Sequence, residues 1–261
     1  MSDKPFDCLA PDAPGPALIL GDHASNHVPS WCAGGDLGVS AGDMARHIGY
    51  DVGVEGVVRR LSALMQAPAV MSRFSRLVID PNRGPDDPTL VMKLYDGSII
   101  PANRHADAAE IARRRALAHE PYHDAITAQI DAMLLRGIVP HIISIHSFTP
   151  QLRTRPPRPW HVGMLWDGDD RLAGPLIDKL SAEPDLVVGD NEPYSGQIPG
   201  DCMHRHGNSR GLPHVLIEIR NDLIVQSRDQ AAWAARLARV LDDIIPVATA
   251  AETPAVAAGT R

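Results

Sequence analysis

The sequence predicts an α/β fold in which helices cover both faces of a sheet. Short apolar or β-branched runs, such as those at 17–20 and 142–145, indicate buried strands. They alternate with longer segments whose apolar residues recur at helical spacing, which is the pattern of an α/β sheet. Four of the strand-like runs also end in polar residues, and α/β proteins place their chemistry at such strand ends. With 261 residues, the chain can bury a sizeable core within one domain.

Individual elements follow from the same patterns. The predicted strands lie at 17–20, 69–79, 139–150, 160–166, 186–188 and 214–219. The predicted helices lie at 44–64 with Asp43 as a cap, 107–135 with a break at Pro121, 171–180 and 230–244. Between them, 84–106 is a long Pro- and Gly-rich loop, and such a loop in a compact domain is often functional. We therefore expect one domain over 1–246, with an irregular arm at 1–16 and a disordered tail at 247–261.

The composition excludes several classes of function. The net charge of -7 provides no basic face for nucleic acid, and no apolar run is long enough to span a membrane. The polar, proline-rich N-terminus lacks a signal-peptide core, so a cytoplasmic protein is expected. Three widely spaced cysteines, Cys8, Cys32 and Cys202, suggest neither a disulfide framework nor a zinc–thiolate site.

Polar side chains recur at the ends of the predicted strands. A single histidine at a strand end is more often a hydrogen-bonded core residue than a ligand. Recurrence favours a shared site at one sheet edge, and the residues concerned are His23, Asn26, Asn82, Arg83, His146 and Glu218. Two neutral imidazoles, an oxygen ligand and a water form a hydrolytic metal centre, with a separate carboxylate as general base. The chain contains no His-Glu-x-x-His helix, no Gly-x-Ser-x-Gly elbow and no phosphate-binding glycine loop.

Six ordered motifs resemble one enzyme family. They are GDHASN at 21–26, SRLVIDPNR at 75–83, SIHSFTP at 144–150, RPWHVG at 158–163, NEPYS at 191–195 and IEIRNDL at 217–223. Together they resemble the N-formylglutamate amidohydrolase family, over about residues 17–244. That family is similar in turn to zinc carboxypeptidases and aspartoacylases. The resemblance implies a three-layer α/β/α fold with a central mixed sheet, of the zinc-carboxypeptidase-like (phosphorylase/hydrolase-like) kind. It also implies Zn²⁺, or another divalent transition metal, and hydrolysis of a linear amide C–N bond.

The resemblance also implies roles for particular residues. In the related enzymes a His-x-x-Glu pair is followed by an Arg, an Asn-Arg pair, a second His and a catalytic Glu. This chain offers His23, Arg76, Asn82-Arg83, His146 and Glu218 in that order. His23 and His146 are thus expected to bind the metal, and Glu218 to act as the base.

The third metal ligand departs from this pattern. Asn26 occupies the position of the ligand glutamate, and a neutral amide is a poor zinc ligand. Asp51 could supply the missing carboxylate from the following helix, as a similar Asp in related amidohydrolases would allow. We favour Asp51, although Asn26 remains a candidate. Asn26 could instead bond its own loop, and Asp51 could be a solvated helix residue.

Three arginines and two further histidines are candidates for binding the substrate. Arg73, Arg76 and Arg83 carry guanidinium forks that suit a substrate carboxylate, with Asn82 beside them. Alternatively, one or two of these arginines pair with an aspartate and hold the loop. His161 and His206 could stabilise a developing oxyanion, or they could bond the backbone as loop histidines.

The predicted reaction is the hydrolysis of N-formyl-L-glutamate to formate and L-glutamate, a step of histidine degradation, with a small-molecule N-acyl amino acid as the partner. Two alternatives stay open. The same machinery could cleave another carboxylate-bearing N-acyl amino acid or a short peptide. The chain could also be an inactive binding protein of the same fold, and Asn26 is the one hint in that direction.

Overall fold

A computed structural model describes residues 3–251, which form nine strands and six α-helices. The strands are β1 (Phe6–Leu9), β2 (Ala17–Gly21), β3 (Ala69–Ser72), β4 (Leu94–Tyr95), β5 (Ser98–Ile99), β6 (His141–Phe148), β7 (Val162–Leu165), β8 (Val188–Asp190) and β9 (His214–Arg220). The helices are α1 (Ala41–Met44), α2 (Val54–Leu64), α3 (Ala108–Arg114), α4 (Glu120–Leu135), α5 (Ala173–Ser181) and α6 (Ser227–Ala251). Single π-helical turns occupy Arg115–His119 and Met203–Gly207.

Seven strands form one mixed sheet in the order β1-β3-β2-β6-β9-β7-β8. The neighbours β3, β2, β6 and β9 are parallel, whereas β1 and β7 run antiparallel to β3 and β9. All eight residues of β6 are buried, as a β-branched central strand requires. Because β2, β6 and β9 are parallel, their carboxyl ends lie at the same edge of the sheet. The candidate site lies at this edge.

Helices cover both faces of the sheet. On one face, α2, α5 and α6 pack their apolar residues against the sheet, with Leu61, Leu176 and Leu237 among them. On the other face, α4 packs Ile126 and Ile130 against a second apolar cluster. The predicted three-layer α/β/α architecture with a central mixed sheet is therefore confirmed. Within the described residues, no helix combines the length and apolarity needed to cross a bilayer.

Several predicted boundaries were wrong, two of them near the site. The helix predicted at 44–64 begins only at Val54, because Gly53, at φ 86°, directly precedes α2 in a left-handed conformation, and α1 ends at Met44. Ser40 caps α1 in place of Asp43, since its hydroxyl accepts from the Asp43 N–H. Asp51 therefore lies in the connecting segment, where its N–H donates to the carbonyl of His23 at 3.0 Å.

Three further boundaries differ, one within the sheet and two towards the ends of the chain. The strand predicted at 69–79 ends at Ser72, and 73–80 turn while staying largely buried. The arm at 1–16 is not irregular throughout, because β1 pairs with β3 and an edge strand needs only main-chain partners on one side. At the other end, α6 extends the predicted 230–244 helix to Ala251, so the tail predicted at 247–261 begins in a helix. The part of that tail at 252–261 lies outside the described residues.

Candidate active site

The ends of β2, β6 and β9 place three predicted residues together. His146 of β6 lies directly opposite Glu218 of β9 in the parallel register. His23 follows the end of β2, the other neighbour of β6. Residues that are paired on neighbouring strands point to the same face of the sheet, so His146 and Glu218 share one face. The rings of His23 and His146 meet edge to face with their centroids 4.8 Å apart.

Asp51 completes a buried cluster with the two histidines. Its Oδ2 lies 2.8 Å from Nδ1 of His146 and 3.3 Å from Nδ1 of His23. One donor atom from each residue lies within 4.8 Å of the others, and the three residues are 1–2% exposed. Asp51 reaches this position because the segment before α2 is bonded to the carbonyl of His23.

The donor set of this cluster fits a divalent metal such as Zn²⁺. Two imidazole nitrogens and one carboxylate are the ligands of a catalytic zinc site. The opposite ring nitrogens are also held by carboxylates, with His23 Nε2 2.7 Å from Asp80 Oδ1 and His146 Nε2 2.8 Å from Asp22 Oδ2. A carboxylate on the far nitrogen fixes the tautomer and leaves the Nδ1 lone pair for a metal.

Asp22 is held by four donors, which is unusual for a buried carboxylate. Besides His146, its oxygens accept from the Tyr122 hydroxyl at 2.7 Å, the Ser144 hydroxyl at 2.6 Å and the Cys202 thiol at 3.0 Å. Burial opposes ionisation, but these bonds and the charge of His146 lower the pKa of Asp22 below its usual range. Asp22 therefore stays ionised and orients the His146 ring.

The remaining charges of the cluster follow the same logic. Burial would raise the pKa of Asp51, but the charges of the two histidines and their hydrogen bonds lower it. Burial would lower the pKa of His146, and its bonds to Asp22 and Asp51 raise it well above 6.5. Protons therefore compete with a metal for the ring nitrogens of the cluster, and a metal that binds there must displace them.

Glu218 is the carboxylate of the site that lacks a partner. It is 6% exposed, and its Oε2 has no hydrogen-bond partner among the described residues. Burial, with the nearby charge of Asp51, raises the pKa of Glu218 to about 7. On the other side of Glu218, β7 presents Gly163, where a Cβ would collide with the carbonyl oxygen of Glu192. No side chain from β7 therefore covers the carboxylate.

Arg76, Asn82 and Arg83 also reach the site, but they differ in availability. Arg76 donates to Asp80 through Nη2 at 2.7 Å and to Asp51 through Nη1 at 3.4 Å, so carboxylates already hold its charge. Arg83 donates to the Thr89 hydroxyl and to a backbone carbonyl. The side chains of Arg76, Asn82 and Arg83 all line one cavity of about 600 Å³. The other residues of the site that line it are His23, Asp51, His146 and Glu218.

Four predicted residues lie elsewhere. Asn26 is exposed and donates to the carbonyl of Met44, so its amide serves the loop and is absent from the cluster. Arg73 pairs with Glu55 and Asp7 at the outside of the sheet. His161 accepts from the N–H of Val187 at the start of β7, outside the cavity.

His206 is the fourth of these residues. It is buried behind the cavity wall, where its Nε2 lies 2.9 Å from Nδ1 of His123. This nitrogen of His206 is therefore occupied by another ring and does not face the cavity. The π-helical turn Met203–Gly207 directs the side chain towards α4 and away from the cavity.

Sequence reasoning missed the residues that orient the two histidines. Asp22 and Asp80 lie inside the quoted motifs, Asp22 directly before His23 and Asp80 two residues before Asn82, so their place in these motifs was a usable signal. Tyr122 could not be found in this way, since it lies on α4 and reaches Asp22 only through the packing of that helix.

Comparisons with known proteins show the family of the chain and agree with its fold. The family model of N-formylglutamate amidohydrolases matches residues 15–225. The chain belongs to this family. Membership of the N-formylglutamate amidohydrolase family makes it a hydrolase of an amide bond.

Two solved structures share the fold of this chain. A gene product of Agrobacterium tumefaciens is 34% identical, with a TM-score of 0.87 over 94% of this chain and 96% of that chain. An N-formylglutamate amidohydrolase from Ralstonia eutropha is 21% identical, with a TM-score of 0.69 over 92% and 98%. The second likeness shows the fold alone. No curated protein sequence matches the chain.

Proposed function

We propose that the protein is a metal-dependent amidohydrolase that cleaves the amide bond of an N-acyl amino acid. The observation that supports this most is the unpaired carboxylate of Glu218 beside the cluster of His23, Asp51 and His146, at the wall of one cavity. A ligand cluster with a free carboxylate next to it is the arrangement that hydrolytic metal centres use.

The residues of the chain then divide the chemistry. When bound by the cluster, a divalent ion supplies polarisation of the amide carbonyl and a lowered pKa for a water. Glu218 accepts the proton of the attacking water as its oxygen bonds to the carbonyl carbon. The same carboxyl passes the proton to the amine nitrogen as the C–N bond breaks. A pKa raised to about 7 suits both steps, because the group can accept and return a proton near neutrality.

The carboxylate of the amino acid would be bound by Arg83. Its guanidinium lies at the cavity wall, and its closest carboxylate, Asp87, is 3.9 Å away. Arg76 is less suited to this task because Asp80 and Asp51 hold it. We therefore assign Arg76 to positioning Asp51 and Asp80, and Arg83 to reading the substrate charge.

N-Formyl-L-glutamate, which would give formate and L-glutamate, is the first substrate to test. It follows from the resemblance of the chain to its family and would assign the protein to histidine degradation. Another carboxylate-bearing N-acyl amino acid would be cleaved by the same residues, and the shape and charge of the cavity favour that alternative, as argued below.

Replacing Glu218 with Gln tests the mechanism. We expect Glu218→Gln to bind metal and melt like the wild type while losing at least about 100-fold in kcat, because an amide cannot accept the proton. The measurement is amine release from a panel of N-formyl amino acids at matched metal content. A kcat within a few-fold of wild type would mean that the base is elsewhere. Metal binding without hydrolysis of any substrate by the wild type would favour an inactive binding protein.

A further inference from the structure

The cavity continues well beyond the metal-binding cluster. It crosses the sheet from His146 on β6, past Glu218 on β9, to Leu165 at the end of β7. These are adjacent strands spaced about 4.8 Å apart, so the far end lies roughly 10 Å from the histidines. Its volume of about 600 Å³ lies within the range that holds ligands much larger than a formyl amino acid.

The far end of the cavity has an apolar wall, which we call the apolar compartment and define by Leu165, Met203 and Leu216. Leu165 and Leu216 face each other across the antiparallel pair of β7 and β9, and both are nearly buried. Met203 faces them from the π-helical turn. Three large apolar side chains at one end of a cavity favour an apolar group of the ligand there.

Charge in the cavity points the same way. Among the described residues that line it, Arg76 and Arg83 are the two arginines and there is no lysine. Asp80 and Asp51 hold Arg76, which leaves Arg83 for one substrate carboxylate. The acidic side chains at the wall, other than Asp51 and Glu218, are Asp167 and Asp201.

The polar amide at the far end does not attract an anion either. Asn208 donates through Nδ2 to the carbonyl of Asp167, and its Oδ1 is buried without a partner in the described part of the chain. The free atom is therefore an acceptor. N-Formylglutamate carries two carboxylates, and once Arg83 binds the first, the second one would find no free arginine or lysine at the cavity wall to pair with.

Arg83 and the apolar compartment are close enough to bind one amino acid. The segment that carries Arg83 packs against the segment before Met203, since Asn82 Oδ1 accepts from the Cys202 N–H at 3.1 Å. A Cβ on Gly84 would touch the backbone around Gly200. A carboxylate on Arg83 and a side chain beside Met203 can therefore be attached to the same Cα.

We propose that the preferred substrates are N-acyl amino acids with a single carboxylate and an uncharged, apolar side chain, bound with the carboxylate at Arg83 and the side chain in the apolar compartment. This inference rests on the proposed amidohydrolase function and narrows its substrate class. It separates the substrate of this chain from the dicarboxylate that gives its family its name.

A panel with one acyl group and varied side chains tests the inference. The probes are N-formyl-L-leucine, N-formyl-L-methionine, N-formyl-L-glutamine and N-formyl-L-glutamate, assayed with the metal-loaded full chain. We expect kcat/KM for leucine and methionine to exceed that for glutamate by on the order of ten- to hundred-fold, with glutamine between them. A preference for glutamate, or equal values across the panel, would overturn the inference and leave the amidohydrolase function standing. Hydrolysis of none of the four would instead contradict the proposed function.

A variant that adds a cation supplies the second test. Met203→Lys should raise the ratio of kcat/KM for glutamate over leucine by at least about ten-fold, because the new ammonium can pair with the second carboxylate. Ser209→Lys, at an exposed position outside the cavity, is the matched control and should leave the ratio unchanged. General loss of stability would lower both rates together, so the ratio reports specificity. An unchanged ratio in Met203→Lys would contradict binding of the side chain in the apolar compartment.

Discussion

Asp51 contributes the charge that joins the two histidines. Its Oδ2 contacts both Nδ1 atoms and also accepts from the N–H of Ser147 at 3.2 Å. Asn26, three residues beyond His23, instead donates to a carbonyl at the surface. The two residues therefore have distinct roles, although sequence spacing alone favoured neither strongly.

The first prediction separates them. Asp51→Asn should weaken metal retention by more than about ten-fold, because the ligand loses its charge, whereas Asn26→Ala should leave it within about two-fold. The measurement is the dissociation constant for Zn²⁺, from competition with a chelating dye. If Asn26→Ala bound Zn²⁺ more weakly than Asp51→Asn, the Asn26 amide would be the ligand in place of the Asp51 carboxylate.

Tyr122 acts on the same cluster from a distance. Its hydroxyl donates to Asp22, which in turn holds His146. Tyr122→Phe should lower zinc affinity by about 10- to 100-fold, the usual cost of losing a residue that orients a ligand. Ser62→Ala is a matched control, because it removes a buried hydroxyl bonded to the carbonyl of Ala67 away from the site. Equal affinity in both variants would mean that Tyr122 only supports the fold.

At this scale, local sequence predicted which residues meet at the sheet edge better than it predicted their hydrogen-bond partners. His23, His146 and Glu218 could be predicted to lie together because each follows or ends an apolar strand. Arg73 and His161 lie away from this cluster, because motif spacing does not say which way a side chain points. Arg73 points to β1, whose pairing with β3 is a long-range contact that the sequence pattern of 1–16 hides.

Among the elements, α4 and the π-helical turn Met203–Gly207 form a contact built from histidines. The rings of His119 and His123 are tilted against each other with their centroids 4.5 Å apart, and His123 stacks on His206 at 5.2 Å. All three are buried, and burial lowers their pKa values, to about 2 for His123 and about 4 for His206. The positive charge of Arg205 lowers the pKa of His206 further, while Asp22 opposes this.

This contact predicts a loss of stability in acid. The pKa of an unfolded histidine is about 6.5, so below that pH the unfolded chain binds protons that the folded contact refuses. Free energy of unfolding therefore falls as the pH drops from about 6.5 towards the folded pKa. His123 and His206, whose folded pKa values lie well below 5.5, each contribute about 1.4 kcal/mol between pH 7.5 and 5.5.

The test compares urea unfolding at those two pH values at one metal content. Between these pH values the free energy of unfolding of His206→Gln should fall by about 1.4 kcal/mol less than that of the wild type. The reason is that the variant lacks one histidine that takes up a proton only on unfolding. His105→Gln replaces an exposed histidine and should behave like the wild type. The same pH-dependent loss in His206→Gln as in the wild type would show that this histidine does not titrate on unfolding.

The segment before α2 shows why elements were harder to predict than the fold class. Helical spacing continues through 44–64, so periodicity alone extended the helix across Asp51. Gly49 prevents this, because a Cβ there would collide with the carbonyl of Met44, and Gly53 adopts positive φ. These two glycines place Asp51 beside His23, and they are the signal in the sequence that marks the break in the predicted helix.

The whole molecule brings four separated pieces of chain to one centre: His23 after β2, Asp51 before α2, His146 on β6 and Glu218 on β9. The fold class was predictable because alternating strands and helices allow few arrangements. Which strand ends are neighbours was not, since the order β2-β6-β9-β7 departs from chain order and depends on long-range pairing. The cavity and its apolar compartment likewise depend on that order.

Metal dependence tests the central claim most directly. The protein is stripped with a chelator, shown to be metal-free, and then titrated with Zn²⁺ while bound metal and hydrolysis of the best substrate of the N-formyl panel are measured together. We expect no turnover in the stripped protein, and activity that rises in proportion to bound zinc and saturates at one ion per chain. Full turnover by protein that holds no metal would contradict the account.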